Sequence, residues 1–209
     1  MLQIHNLKCG YKEKFHISDI TLHARKGDFT GIIGPNGSGK TTLFRGITGE
    51  LPAKTGNILL NGRHIHEMTY KEKAKNMAIV TQELDEPAIT VEEYVLMGRM
   101  PYHRPFQFFE SKADYRITHE YLQLTQIFHL KDKYMYQISG GERQLAAVAR
   151  ALNQEPKLLL LDDTAAPSVS SAYICLQADQ KSDQLNADNT TSALLRGSAL
   201  CVAAARELN

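Results

Sequence analysis

The most informative segment of the chain is Gly34-Pro35-Asn36-Gly37-Ser38-Gly39-Lys40-Thr41-Thr42. It fits G-x-x-x-x-G-K-[ST], in which glycines let backbone N–H groups turn inward around phosphate oxygens. The apolar run 29–33 before it is typical of a strand, and the periodic segment 43–47 after it is typical of a helix. A glycine-rich turn before a helix can arise by chance, but both flanks fit a phosphate-binding loop. The stretch therefore predicts a nucleoside triphosphate site.

Three side chains are candidates for contacting the phosphates and Mg²⁺. Lys40 would reach the β- and γ-phosphates, and the Thr41 hydroxyl would bind the metal. Asp162 follows the apolar run 158–161, which is typical of a buried parallel strand. A phosphate-loop enzyme needs an acidic group at the tip of a neighbouring strand to hold Mg²⁺. An Asp that ends a strand is often only a turn former, but the loop favours the metal-binding interpretation.

A second glycine-containing helix start lies at 138–144, which reads ISGGERQ. Ser139 could be a simple N-cap, but Ser139, Gly140 and Gly141 also form a second anion-binding helix start. One nucleotide does not need two such loops from the same subunit. We therefore predict a head-to-tail pair of chains, in which this turn of each chain closes on the γ-phosphate bound by the other.

Bulk composition excludes several classes of function. The net charge of +1 provides no basic field for nucleic acid. Cys9, Cys175 and Cys201 show no metal-ligand spacing, and we expect reduced thiols in the cytosol. We also expect no signal peptide and no membrane-spanning segment, because no basic n-region precedes an apolar stretch and no long apolar run is present. Any transport role would then be performed with membrane-spanning partner proteins.

The three motifs together resemble Walker A, the signature motif and Walker B of ABC ATPases, in that order. The resemblance covers about residues 1–163, and Arg150-Ala151-Leu152 after the second motif belongs to it. It implies an α/β fold: a P-loop core with a mostly parallel sheet, an N-terminal antiparallel β-subdomain and an inserted helical subdomain. We divide the chain into 1–90 (first core part with the β-subdomain and the phosphate loop), 91–151 (helical subdomain with the signature) and 152–209 (second core part with Walker B and an atypical tail).

The resemblance also assigns two further residues. Tyr11, which follows Cys9-Gly10, resembles the aromatic residue that stacks on adenine; a core aromatic is the less favoured alternative. Gln82 resembles the glutamine that senses Mg²⁺ and the γ-phosphate; an exposed loop Gln would otherwise mean nothing. ATP and Mg²⁺ are the implied cofactors, and Lys40, Gln82 and Asp163 are the implied catalytic residues.

Residues 90–102 carry a clue to the subfamily. The segment Thr90-Val91-Glu92-Glu93-Tyr94-Val95-Leu96-Met97-Gly98-Arg99, followed by Pro101 and Tyr102, is similar to a segment of importers of iron–siderophore complexes, heme and vitamin B12. A plain amphipathic helix is the alternative. The resemblance implies a subunit peripheral to the cytoplasmic face of the membrane, with permease subunits, a second copy of itself and, indirectly, a substrate-binding protein as partners.

The chain departs from this family after Asp162. Family members continue Walker B as Asp-Glu-Pro-Thr and later supply a His, whereas here Asp163 replaces the Glu and no His occurs beyond His129. The alanine-rich tail contains one plausible strand, at 200–204. Two explanations stay open: divergence into a subunit that binds ATP and hydrolyses it poorly, or residues after about 163 that are not the native continuation of the chain, for example through a frameshift. Two other functions also stay open, an ATP-switched module without turnover and an ABC-like ATPase that acts on DNA or ribosomes.

Overall fold

The computed structural model describes residues 2–11, 15–35, 37–81, 87–104, 107, 109–163, 170–176 and 206–207. These residues form two β-sheets and a set of helices. Within the described ranges, no helix is both long enough and apolar enough to cross a membrane.

The first sheet is antiparallel and comes from the N-terminal third of the chain. Its strands lie in the order β2-β1-β4-β5. Their bounds are Leu2–Tyr11 (β1), Phe15–Ala24 (β2), Ala53–Leu60 (β4) and Arg63–His64 (β5). Apolar residues of β1 such as Leu2 and Ile4 are fully buried while His5 is exposed, which is the one-sided burial expected of such a sheet. The predicted antiparallel β-subdomain is confirmed.

The second sheet carries the predicted phosphate loop and lies in the order β6-β7-β8-β3-β9. Its strands are Phe29–Gly34 (β3), Met77–Val80 (β6), Leu158–Asp163 (β7), Ser170–Leu176 (β8) and Arg206–Glu207 (β9). Strand β7 pairs in parallel with β6, and β3 pairs in parallel with β9, whereas β8 is antiparallel to both β3 and β7. Four of the five strands therefore point the same way, as predicted.

One prediction about the tail is wrong. We expected residues 200–204 to be the only further strand, but the structure has strands at 170–176 and 206–207, and 200–204 lie outside the described residues. The backbones of β3 and β7 each need a hydrogen-bonding neighbour on the side that β8 fills. Only residues 164–169 separate β7 from β8, which is too short for the crossover that a parallel neighbour requires. The strand therefore returns antiparallel.

The helices are α1 (Lys40–Thr48), α2 (Tyr70–Asn76), α3 (Val91–Leu96), α4 (Lys112–Leu124) and α5 (Gly140–Asn153). The last four all begin at Ser or Thr N-caps of the capping-box type: Thr69, Thr90, Ser111 and Ser139. Helix α2 was not predicted. Its signal was a capping box, in which the Thr69 hydroxyl accepts from the Glu72 N–H and the Glu72 carboxylate accepts from the Thr69 N–H.

Among the described residues, two apolar clusters form the core. The first joins the antiparallel sheet to α1, β3 and β7 through buried side chains such as Leu7, Leu43 and Leu158. The second joins α3, α4 and α5 to one face of β6 and β7 through residues such as Val95 and Leu122. Strand β7 contributes side chains to both clusters, so it packs against α1, which follows the phosphate loop, and also against α3, α4 and α5. The division into 1–90, 91–151 and 152–209 stays a prediction.

Candidate nucleotide-binding site

The loop between β3 and α1 has the backbone that its glycines allow. Gly37 (φ 81°) and Gly39 (φ 100°) adopt left-handed conformations that L side chains disfavour, and Gly39 is the N-cap of α1. A Cβ on Gly34 would lie 2.8 Å from the Ser38 hydroxyl oxygen. Asn36, a predicted loop residue, lies outside the described residues. The described part of the loop is therefore a tight turn at the start of a helix.

Lys40 is a buried cation held by neutral oxygens. Its side chain is directed back into the loop, where the ammonium donates to the carbonyl oxygens of Gly34 (2.7 Å) and Pro35 (2.9 Å) and to the Ser38 hydroxyl (3.3 Å). The residue is only 5% exposed. A buried charge is costly unless an opposite charge compensates it. The environment of Lys40 therefore favours an anion in this loop.

The predicted metal ligands Thr41 and Asp162 are in contact across 121 residues of sequence. The Thr41 hydroxyl donates to a carboxylate oxygen of Asp162 at 3.0 Å. A hydroxyl and a carboxylate are both oxygen donors, the kind that Mg²⁺ prefers, and this donor set fits that ion. Thr42, the other loop threonine, is buried, and its carbonyl oxygen accepts from the Cys9 thiol at 3.8 Å.

Of the predicted catalytic residues Asp163 and Gln82, the structure describes only the backbone of Asp163. Asp163 ends β7, one residue beyond Asp162. Gln82 lies outside the described residues, but β6 ends at Val80, which pairs in parallel with Leu161. The chain therefore leaves β6 at the same edge of the sheet as Asp162. The roles of Asp163 and Gln82 stay predictions.

Tyr11 lies beside the phosphate-loop helix. It is the last residue of β1 and is 40% exposed. Its hydroxyl accepts a hydrogen bond from the guanidinium of Arg45, on α1. Tyr11 is therefore not a core aromatic, and the alternative interpretation of this residue is wrong. Its stacking on adenine stays a prediction.

Ser139 begins α5 and is exposed, together with Gly140 and Gly141. Its hydroxyl oxygen accepts from the Glu142 N–H at 3.3 Å, and its own N–H donates to the Glu142 carboxylate at 2.7 Å. Hydrogen bonds from the Ser139 backbone and then from its hydroxyl hold the pKa of Glu142 below its usual value. The N-cap interpretation is thus correct locally, and the exposed helix start leaves the predicted contact with a second chain open.

Nothing in the conformation or packing of the described residues requires glycine at positions 140 and 141. The nearest atom to a Cβ on Gly140 would be 4.0 Å away, at the Arg143 guanidinium, and a Cβ on Gly141 would meet nothing within 4 Å. Neither has a positive φ. Gly in a helix costs roughly 0.5–1 kcal/mol relative to Ala. An approaching ligand or partner chain would explain two glycines here.

The sequence did not predict a buried polar cluster around Arg99. Its guanidinium donates to Asp114 (3.3 Å), to the carbonyl oxygen of Asn153 (2.8 Å) and to Glu155 (2.7 Å). Burial opposes ionisation of Asp114, but hydrogen bonds from Ser111 and then from Arg99 hold the pKa of this carboxyl below its usual value. These hydrogen bonds connect residues 97–102 to the first turn of α4 and to the C-terminal end of α5. The signal was a charged residue inside an apolar helical stretch.

Comparisons with known proteins agree with this geometry. The family model described as ABC transporter matches residues 17–166. The chain is 37% identical to the uncharacterised ABC transporter ATP-binding protein YvrA of Bacillus subtilis (strain 168), over 78% of this chain and 37% of the relative. It is also 37% identical to the ferric enterobactin transport ATP-binding protein FepC of Escherichia coli (strain K12), over 75% of this chain and 58% of the relative.

A solved structure is similar as well. It shows a transporter assigned to the metal-chelate ABC type in an inward-facing conformation, with a TM-score of 0.67 and 30% identity over 78% of this chain and 60% of that chain. The chain thus spans between about a third and three fifths of the length of these proteins.

Proposed function

The chain belongs to the ABC transporter family, and we propose that it is the ATP-binding subunit of an importer. The proposed cargo is an iron chelate, heme or cobalamin. A relative named for ferric enterobactin transport and the segment 90–102 support this choice. The proposed location is the cytoplasmic face of the membrane, as a peripheral subunit.

The observation that carries the proposal is the cation in the loop. Lys40 is buried among neutral oxygens, so a triphosphate would supply the missing negative charge. Loop N–H groups and the start of α1 would bind the other phosphate oxygens. Thr41 and Asp162 would hold Mg²⁺, which when bound neutralises charge on the β- and γ-phosphates.

A second copy of the chain would complete the site. The exposed turn Ser139-Gly140-Gly141 would approach the γ-phosphate bound by the other copy, and its glycines would allow close contact. The capping box uses the N–H groups of Ser139 and Glu142. Helix geometry gives the N–H groups of Gly140 and Gly141 no intrahelical acceptor, so these two are suited to an anion. Each of the two nucleotides would then lie between two chains.

Hydrolysis would proceed by in-line attack of water on the γ-phosphate. Asp163 would act as general base if its carboxylate reaches the water, and Gln82 would orient that water. Aspartate is one methylene shorter than the family's glutamate, and general-base geometry tolerates little displacement. For this reason a second function is an ATP-switched module that binds and dimerises without turnover.

Permease subunits are the proposed membrane partners. Met97 (44% exposed) and Met100 (59% exposed) lie on the segment that the Arg99 cluster holds in place. Flexible apolar side chains on a fixed backbone suit a protein contact. A substrate-binding protein would act only through those subunits.

Equilibrium dialysis with ATP, together with phosphate release, tests the proposal. We expect ATP binding by the unmodified chain and strong loss of ATP affinity in Lys40→Ala, because Lys40 is the one basic residue in the sequence 34–42. Unchanged ATP affinity in Lys40→Ala would refute the proposed site. Phosphate release no faster than in Lys40→Ala, with ATP binding intact, would favour the non-hydrolysing module over the ATPase.

A further inference from the structure

We infer that Arg45 is a positioning residue for nucleotide recognition: it holds the Tyr11 ring in the orientation that stacks on a purine base. This inference rests on the proposed ATP site and adds a residue that no motif includes. The contact that suggests it is the hydrogen bond from the Arg45 guanidinium to the Tyr11 hydroxyl.

The packing of β1 on α1 brings the two residues together. Leu7 and Cys9 of β1 are fully buried against α1, and a Cβ on Gly46 would lie 2.8 Å from the Cys9 sulfur. The Cys9 thiol donates to the Thr42 carbonyl oxygen. Because α1 carries no side chain at Gly46, the end of β1 approaches the helix closely. Tyr11, two residues beyond Cys9, thereby reaches the exposed edge of α1.

Helical spacing places Arg45 on the side of α1 that the nucleotide would follow. Arg45 lies four residues after Thr41, so the two side chains lie on one face of the helix. Both residues are exposed there, and Thr41 is already directed at Asp162. A base attached to phosphates at the start of α1 can therefore extend along this face toward Tyr11.

The Arg45 guanidinium has two partners among the described residues. Its Nη1 donates to the Tyr11 hydroxyl, and its Nε lies 3.9 Å from the Glu50 carboxylate just beyond the end of α1. A planar guanidinium with two partners has a preferred orientation. A Tyr hydroxyl bonded to it restricts rotation of the ring, so less conformational entropy is lost when a base stacks on that ring. These two partners therefore fit a positioning role for Arg45.

The test compares two ligands of one site, ATP and inorganic tripolyphosphate, which has no base. Isothermal titration calorimetry would measure both affinities for the unmodified chain, Tyr11→Phe, Arg45→Met and the double variant. Tyr11→Phe removes only the hydroxyl and changes no charge. We expect ATP binding to weaken about three- to tenfold in each single variant, because one side chain becomes free to rotate. We expect tripolyphosphate affinity to stay unchanged.

The double variant shows whether the two residues act through each other. We expect it to bind ATP no more weakly than either single variant, as for partners in one contact. Tyr11→Ala, which removes the ring, should weaken ATP binding about ten- to a hundredfold. Arg63→Met is the matched control, because Arg63 is also an exposed arginine in an ion pair, with Glu72 at 2.9 Å. It should leave both affinities unchanged.

Three results would overturn the inference. The first is an ATP affinity of Arg45→Met that equals or exceeds that of the unmodified chain. The second is a double variant whose loss of ATP-binding free energy is the sum of the losses in the two single variants. The third is a fall in tripolyphosphate affinity as large as the fall in ATP affinity. Failure of the proposed ATP site gives a different pattern, since the unmodified chain would then bind neither ligand, or Lys40→Ala would bind both unchanged.

Discussion

Replacing Gly98 by Ala should destabilise the fold, because the position has no room for a methyl group. Gly98 lies in the 3₁₀ segment Met97–Tyr102. An added Cβ would lie 2.4 Å from the Arg150 carbonyl oxygen and 3.2 Å from both the Asn153 Cβ and the Gln154 nitrogen. The first of these distances is far below van der Waals contact, and the atom it meets is backbone. The segment or the end of α5 must therefore move.

The movement would also strain the Arg99 cluster. The next residue, Arg99, donates to the Asn153 carbonyl oxygen at 2.8 Å, on the same stretch of chain that Gly98 touches. Overpacking in a close-packed region costs about 1–3 kcal/mol. Loss of backbone freedom in the unfolded chain offsets about 0.4–1 kcal/mol of that cost. We expect a net loss of about 1–2 kcal/mol, and a fall in Tm of about 2–8 °C for a chain of this size.

Urea denaturation followed by circular dichroism would measure this effect. The midpoint should fall while the slope of free energy against urea stays the same, since the surface exposed on unfolding does not change. Gly141→Ala is the matched control, because a Cβ there meets nothing within 4 Å. Its stability should be unchanged or slightly higher, while its ATPase rate falls if a partner chain approaches this turn. Equal midpoints for Gly98→Ala and the unmodified chain would refute the steric argument.

Three further predictions concern other contacts. Mg²⁺ should increase the ATP affinity of the unmodified chain but not that of Thr41→Val, because this variant removes the hydroxyl beside Asp162. ATP affinity without Mg²⁺ should be the same in both proteins. If calorimetry shows that Mg²⁺ increases ATP affinity equally in both, the metal site is contradicted. Ser139→Ala should lower the free energy of unfolding by about 1 kcal/mol through loss of the N-cap. Ser139→Asp keeps a capping side chain and should retain stability. An unchanged urea midpoint in Ser139→Ala would count against the cap. The pKa of Glu72 is lowered to about 2, first by the Thr69 backbone hydrogen bond and then by Arg63. Because the pKa is lowered in the folded state, Glu72 contributes stability at pH values above the ordinary glutamate pKa, and this contribution is lost as the pH falls toward 2. Glu72→Gln should therefore lose less stability than the unmodified chain between about pH 5 and pH 2. Parallel profiles of stability against pH, measured by urea titration, would contradict this.

Much of the candidate site could be predicted from sequence because its parts are local. The phosphate loop needs glycines at fixed offsets before a helix, and Ser139 needs only the Glu three residues later to form its cap. In both places the chemistry lies within one turn of chain, so a pattern of neighbouring residues is enough. The apolar run that ends at Asp162 likewise predicts a buried strand, which the structure contains.

Other features depended on contacts between distant segments. Helix α2 is short and has no buried residues, so its apolar periodicity carried no signal. Strand β8 lies where two neighbouring strands need a partner, a requirement that its own composition does not display. The Arg99 cluster likewise joins residues from three parts of the chain.

Residue types at short, regular spacing were enough to identify the phosphate loop, the starts of α1 and α5, and the family. Only the tertiary structure decided that Thr41 meets Asp162, that neutral oxygens surround the Lys40 ammonium, and that Tyr11 contacts Arg45. The physical reason is that these distances depend on how sheets and helices pack. That packing depends on how side chains throughout the core fit together, and not on any one stretch of residues. At Gly46, for example, a Cβ would lie 2.8 Å from the Cys9 sulfur, so β1 can approach α1 only because no side chain is present there.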